Sequence, residues 1–271
     1  LDAVTGDVAV IETTALTRRY DQILAVDRLD LTVAAGRIFG LLGPNGAGKT
    51  TTIKMLTTLL PPSAGSARVA GFDVVRAARE VRRRIGYVSQ MLSADGGLTA
   101  VENLRLSAAL YGIPRRERAA RIAAALDFIG LAEAARQLVK TYSGGMIRRL
   151  ELAQALLHDP AVLFLDEPTI GLDPLARRAV WERLQALKGR GATTILITTH
   201  DMEEADALCD EIALMHRGGL AARGTPAELK RQVGPEATLD DVFAHYAGGS
   251  IDEGGTYRDV GRTRTTARRL G

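Results

Sequence analysis

Cysteine is all but missing from this chain: Cys209 is the only one in 271 residues. A single thiol excludes an intrachain disulfide and any metal site built from several cysteines, and within Ala207-Leu208-Cys209-Asp210 it reads as a reduced, buried spacer. Lysine is scarce as well, five against 30 arginines, and aromatic residues reach only 4%. No apolar run approaches the roughly 18 residues that a membrane-crossing helix needs. The longest candidates are short pieces such as Ala161-Val162-Leu163-Phe164-Leu165, so any membrane role has to come through a partner. A basic stretch followed by an apolar core, the mark of a secretory signal, is also missing. Asp2 and Asp7 stand there instead, and the expectation is a cytoplasmic chain.

What is present describes a globular protein, with 46% apolar residues, 25% charged residues and 28 glycines, which argues against disorder over most of the length. The net charge of +3 is unevenly placed. From Thr256 onward Arg258, Arg262, Arg264, Arg268 and Arg269 face only Asp259, so the body is close to neutral. A basic tail of this kind reads as a solvated segment, with contact to acidic lipid headgroups or nucleic acid as the sharper alternative.

Gly43-Pro44-Asn45-Gly46-Ala47-Gly48-Lys49-Thr50 fits the phosphate-binding pattern G-x-x-x-x-G-K-[ST] at every fixed position. The apolar run Ile38-Phe39-Gly40-Leu41-Leu42 precedes it and a helical run opening with Thr51 follows, which is the strand–loop–helix setting the motif requires. Backbone N–H groups freed by the glycines and the positive end of the helix attract phosphate there. Lys49 would reach the terminal phosphates and the Thr50 hydroxyl would bind Mg²⁺.

Short antiparallel strands are expected over about residues 8–35, with Tyr20 in the turn-like stretch between them. Ala- and Leu-rich helical periodicity runs from about Thr99 to His158, and Thr99-Ala100-Val101-Glu102 has the spacing of a capping box. Strand patterns followed by helical ones resume at 161–165 and 193–198, so a parallel α/β organisation surrounds a helical insert. Asp166 and Glu167 close an apolar strand at the end where α/β sheets place ligands. Phosphoryl transfer needs one carboxylate for Mg²⁺ and a group to orient the attacking water, roles that suit Asp166 and Glu167 in that order. Ser143-Gly144-Gly145 is either a helix N-cap or a second anion cradle, and one chain hardly needs two cradles for one phosphate.

With these residues in place the chain resembles the nucleotide-binding subunit of an ATP-binding cassette (ABC) transporter, from about Val8 to Gly248. The resemblance implies an α/β P-loop NTPase fold: a RecA-like parallel sheet core, an N-terminal antiparallel β subdomain and an inserted α-helical subdomain at about 93–158. A C-terminal extension at about 216–248 would complete a domain over 1–248, leaving 249–271 as the basic tail. Tyr142-Ser143-Gly144-Gly145-Met146 stands where the family's Leu-Ser-Gly-Gly-Gln signature is expected and departs from it at the first and last positions.

The resemblance further assigns Gln90 as a link between Mg²⁺, the attacking water and the membrane partner, Asp173 as the residue of the dimer loop, His200 as the switch histidine and Tyr20 as the adenine-stacking aromatic. ATP bound by Tyr20 and the segment from Gly43 to Thr51, with Mg²⁺ on Thr50, Gln90 and Asp166, would lie between this loop and Ser143–Gly145 of a second subunit packed head to tail. Glu167, His200 and Gln90 are then the hydrolytic residues. The implied partners are a second ABC subunit and an integral membrane permease, with no specific nucleic acid. The implied location is peripheral, on the cytoplasmic face of the cell membrane. The last quarter of the chain is similar to bacterial exporters of the daunorubicin-resistance type. A non-transport ABC ATPase and a nucleotide-binding regulator are the other readings.

Overall fold

The computed structural model describes residues 9–247 except 190 and 192; the basic segment, including its expected lipid contact, lies outside the described residues. The chain begins with β1 (Ala9–Tyr20) and β2 (Ile23–Ala34), a long antiparallel hairpin. β4 (Ala64–Val69) pairs with the far edge of β1, and the short β5 (Phe72–Asp73) follows, giving the order β2-β1-β4-β5. Period-two alternation in this sheet sends Ile11, Val26, Leu29, Leu31 and Val33 into the core. Tyr20 is the last residue of β1 rather than part of the turn, because its pairing with Ile23 leaves only two residues to reverse the chain.

The second sheet holds β3 (Ile38–Leu42), β6 (Ile85–Val88), β7 (Val162–Asp166), β8 (Thr194–Thr199), β9 (Glu211–His216) and β10 (Gly219–Gly224). Its order is β10-β9-β3-β8-β7-β6, parallel throughout except for β10. Every residue of β3, β7 and β8 is buried. Their unbroken apolar runs are what strands covered on both faces require.

Successive residues of these strands serve opposite cores. Phe39, Leu41, Phe164 and Leu196 pack between the two sheets with Ile53, Met55 and Leu56 of α1 (Lys49–Leu56). Ile38, Leu42, Leu163, Leu165, Ile195 and Ile197 pack against α6 (Pro174–Gly189), α7 (Met202–Leu208), α8 (Pro226–Val233) and α9 (Leu239–Ala247). Beside β6, and following α2 (Ala78–Arg84), a third core joins α3 (Ala100–Leu110), α4 (Arg115–Ile129) and α5 (Gly144–Leu156). The Thr99–Glu102 capping box opens α3, and the Ser143 side chain accepts from Met146 N–H at the start of α5.

Sheet order builds the functional edge. β3, β8, β7 and β6 are neighbours and parallel, so their C-terminal ends emerge side by side. Those ends carry, in order, the Gly43–Thr50 loop, the His200 turn, Asp166 with Glu167, and Gln90.

Candidate nucleotide site

The loop from Gly43 to Thr50 is wedged against two neighbouring backbones. Gly48 has φ +104°, and a β-carbon there would lie 2.5 Å from the Ala25 carbonyl of β2; one at Gly43 would lie 2.4 Å from that of Met215. Only glycine fits such approaches. Pro44, Asn45 and Gly46 form the exposed rim, Ala47 is buried, and Thr51 lies in the first turn of α1. Lys49 is 5% exposed and its Nζ donates to the Gly43 carbonyl at 2.6 Å and the Pro44 carbonyl at 3.2 Å. It also stands 3.3 Å from Glu167 Oε1.

Three elements converge on two carboxylates. Asp166 Oδ1 accepts from the Thr50 hydroxyl at 3.0 Å and from the Thr198 hydroxyl at 2.6 Å. Glu167 leaves β7 in a left-handed conformation, φ +52°. Its N–H donates to both the Thr198 hydroxyl and the Thr198 carbonyl, at 3.0 and 3.1 Å, which stabilises a conformation costing about 1 to 3 kcal/mol for a residue with a side chain. That turn aims the carboxylate between Lys49 and His200, whose Nδ1 lies 2.6 Å from Oε2. Glu167 is 5% exposed while His200 remains open to solvent. Burial, reinforced by the Asp166 charge, pushes the nearby Tyr87 phenol up to about 12, so it stays protonated.

Gln90 lies exposed just beyond β6, and its backbone is clamped. The buried Arg148 of α5 donates to the carbonyls of Ser89 and Gln90, at 2.7 and 2.9 Å, and pairs with Glu151 at 3.0 Å. Glu151 in turn accepts from the Ser93 N–H and hydroxyl. Burial pulls Arg148 below its ordinary range, and the Glu151 charge opposes that shift.

Ser143 and Gly144 are exposed at the start of α5. No hydrogen bond joins them to the Gly43–Thr50 loop among the described residues. Their neighbour is the Asp173 segment: a β-carbon at Gly145 would come within 2.6 Å of Ala176 Cβ, and one at Gly144 would touch Leu172. Asp173 is exposed and its carboxylate accepts from Ala176 N–H in the first turn of α6. Tyr142, the first departure from the usual signature, is buried with its hydroxyl on the Ala134 carbonyl at 2.7 Å, a packing role. Tyr20 is part-exposed near the tip of the β1–β2 hairpin, with the Arg18 guanidinium 4.7 Å from its ring centre. The same hairpin meets the phosphate loop at Ala25.

Thr198, Arg148 and Glu151 were not singled out by sequence reasoning. Their partners lie 32, 59 and 58 residues away in the chain, and no local spacing announces them.

A phosphate loop at the end of a central parallel strand, with paired carboxylates and a histidine at the ends of the next two, defines a P-loop NTPase. Comparison with known proteins narrows this. The family model described as ABC transporter matches residues 26–170. The chain is 49% identical over 233 residues to the daunorubicin/doxorubicin resistance ATP-binding protein DrrA of Streptomyces peucetius, covering 85% of this chain and 69% of that one. It is 47% identical over 222 residues to a Nod factor export ATP-binding protein I of Burkholderia pseudomallei, covering 82% and 73%. A solved ATP-binding subunit of an ABC transporter superposes with a TM-score of 0.78 at 32% identity, covering 88% of this chain and 99% of that one. The chain belongs to the ABC transporter family: it is an ATPase that binds ATP and whose hydrolysis of ATP drives transport. Among the described residues no helix is long and apolar enough to cross a membrane.

Proposed function

We propose that the chain is the ATP-hydrolysing subunit of a bacterial exporter, peripheral on the cytoplasmic face of the membrane and working with a separate permease on hydrophobic compounds such as drugs or secondary metabolites. The observation that carries the hydrolytic reading is the meeting of Lys49, Glu167 and His200 within hydrogen-bonding reach at one sheet edge. The relatives named for daunorubicin resistance and Nod factor export support the direction of transport.

The donor set suits Mg²⁺. Thr50 and Asp166 offer hard oxygen ligands 3.0 Å apart, and among the described residues no cluster of three or more acidic, histidine or cysteine side chains competes as an all-protein cage. This matches an ion that keeps several waters and binds substrate phosphates. Thr50 and Asp166, with Gln90 from the end of the neighbouring strand β6, would hold the ion, and its chemistry would be to neutralise charge developing on the phosphates.

Lys49 binds the terminal phosphates as a point charge. A phosphate oxygen arriving there competes with Glu167 for the ammonium, so substrate binding frees the carboxylate for its next task. Glu167 orients the attacking water and accepts its proton, with Thr198 holding the turn that aims it. His200 shares the Glu167 carboxylate and, from the open side of the site, reaches the γ-phosphate. Tyr20 stacks on the base.

Ser143 and Gly144 are exposed and make no hydrogen bond to the phosphate loop among the described residues, so their anion-binding capacity is left for the nucleotide of a second subunit packed head to tail, and Asp173 beside them faces the same partner. For the permease, Leu110, 78% exposed, lines with Tyr87 and Tyr111 a cleft of about 360 Å³ whose other side carries Ser93, Ser107 and Gln154, and Met91, 81% exposed, follows Gln90; these exposed apolar side chains are the docking surface for a helix of the permease. The 249–271 segment would touch anionic lipid headgroups, and truncation after Gly248 would then lower binding to anionic vesicles while sparing ATPase activity.

Glu167→Gln is the deciding variant. It should bind ATP but lose hydrolysis by roughly 100-fold or more, because the proton acceptor is gone. Gel filtration with ATP and Mg²⁺ should then show a dimer. A variant that stays monomeric removes the head-to-tail scheme, and one that hydrolyses at the wild-type rate removes the assignment of Glu167.

A further inference from the structure

Behind the site lies a carboxyl group that none of these steps uses. Glu204, on α7, is 1% exposed and has no ion-pair partner among the described residues. Its Oε1 accepts from the Thr169 hydroxyl at 2.7 Å and from the Trp181 indole N–H at 3.0 Å, and the Thr199 hydroxyl is hydrogen-bonded to the same carboxyl. A buried polar group is costly unless its hydrogen bonds are made, and an apolar residue would be the cheaper filler there.

The three donors come from three separate segments. Thr169 lies in the turn that leaves Glu167. Thr199 is the last residue of β8, directly before His200. Trp181 lies in α6, the helix that starts beside Asp173. One carboxyl therefore joins the backbone that aims Glu167, the backbone that presents His200 and the helix that carries the dimer loop. Burial, together with the Asp201 charge, raises the Glu204 pKa, while the three hydrogen bonds oppose the rise.

We propose that Glu204 is a positioning residue for ATP hydrolysis, holding the Glu167 turn and the His200 turn at a fixed separation and tying both to α6. The proposal rests on the assignment of Glu167 and His200 to the γ-phosphate. Because it acts on the geometry of the hydrolytic groups and not on the loop that binds ATP, its loss falls on kcat and spares KM.

Three variants test this in the purified full chain with ATP and Mg²⁺. Glu204→Gln keeps the size and the acceptor oxygen and should hold kcat within about two-fold, whereas Glu204→Leu should lower kcat about ten-fold or more with KM for ATP within about two-fold. Thr169→Val removes one tether with little change of volume and should lower kcat in the same direction; it decides the matter if Glu204→Leu does not fold. Trp181 is the only tryptophan, so its emission reports this node directly. Wild type and Glu204→Gln should show the same change in emission on adding ATP, and Glu204→Leu a smaller one. Wild-type kcat in both Glu204→Leu and Thr169→Val, or a loss shared equally by Glu204→Gln, overturns the proposal. Wild-type hydrolysis by Glu167→Gln would instead overturn the site assignment on which it rests.

Discussion

At the scale of single residues the site is organised by two threonines and a lysine as much as by its acids. Thr198 serves Asp166 with its hydroxyl and Glu167 with its oxygen atoms, so one side chain registers both carboxylates. Lys49 is the one buried cation of the phosphate loop. Lys49→Ala removes charge-assisted bonds to phosphate worth about 1.5 to 3 kcal/mol, and ATP affinity should fall roughly 10- to 100-fold, measurable by titration with a fluorescent ATP analogue. Lys49 was legible because it sits at a fixed offset within eight contiguous residues. Glu204 was not: an acid in the first turn of a short helix, where acids are common, carries no mark until Thr169 and Trp181, 35 and 23 residues away, are folded against it.

At the scale of elements, pattern reading found what repeats locally. Unbroken apolar runs announced β3, β7 and β8, and the Thr99–Glu102 spacing announced the start of α3. Ends were harder to read. Glu167 falls outside β7 because its left-handed turn is held by Thr198, a residue from another strand. The Ser143-Gly144-Gly145 stretch left two readings open in sequence, and its geometry adds a third constraint, since Gly145 is also where α5 meets α6. Gly145→Ala places a β-carbon 2.6 Å from that of Ala176 and should cost about 1 to 3 kcal/mol of stability, read from urea denaturation, besides any effect on the nucleotide of the partner.

At the scale of the whole molecule, two sheets and a three-helix core divide the labour: the hairpin sheet backs the loop, the parallel sheet lines up the carboxylates and the histidine, and the helices carry the face proposed for docking. That face yields a prediction about coupling. Met91→Glu with Leu110→Glu puts charge on the proposed docking surface without touching the loop or the carboxylates. ATP hydrolysis by the isolated subunit should be unchanged, while export by cells carrying the cognate permease, followed as dye or drug efflux, should be lost. Sequence alone indicated an insert of helices but could not show which side chains project from it, because Met91 lies outside the helical periodicity and Leu110, the last residue of α3, sits inside it with nothing to mark it as exposed.

Arg148 is the feature whose consequences reach furthest. It grips the carbonyls beside Gln90 from α5, five residues past Ser143, about 7.5 Å along the helix axis. In the proposed head-to-tail pair Ser143 touches the partner's nucleotide while Gln90 attends the chain's own. The two ends of that short rod then answer to two different ATP molecules. On that scheme a displacement of Ser143 by the partner's nucleotide would reach the Gln90 backbone through Arg148, with Glu151 and its bonds to Ser93 as a parallel tie.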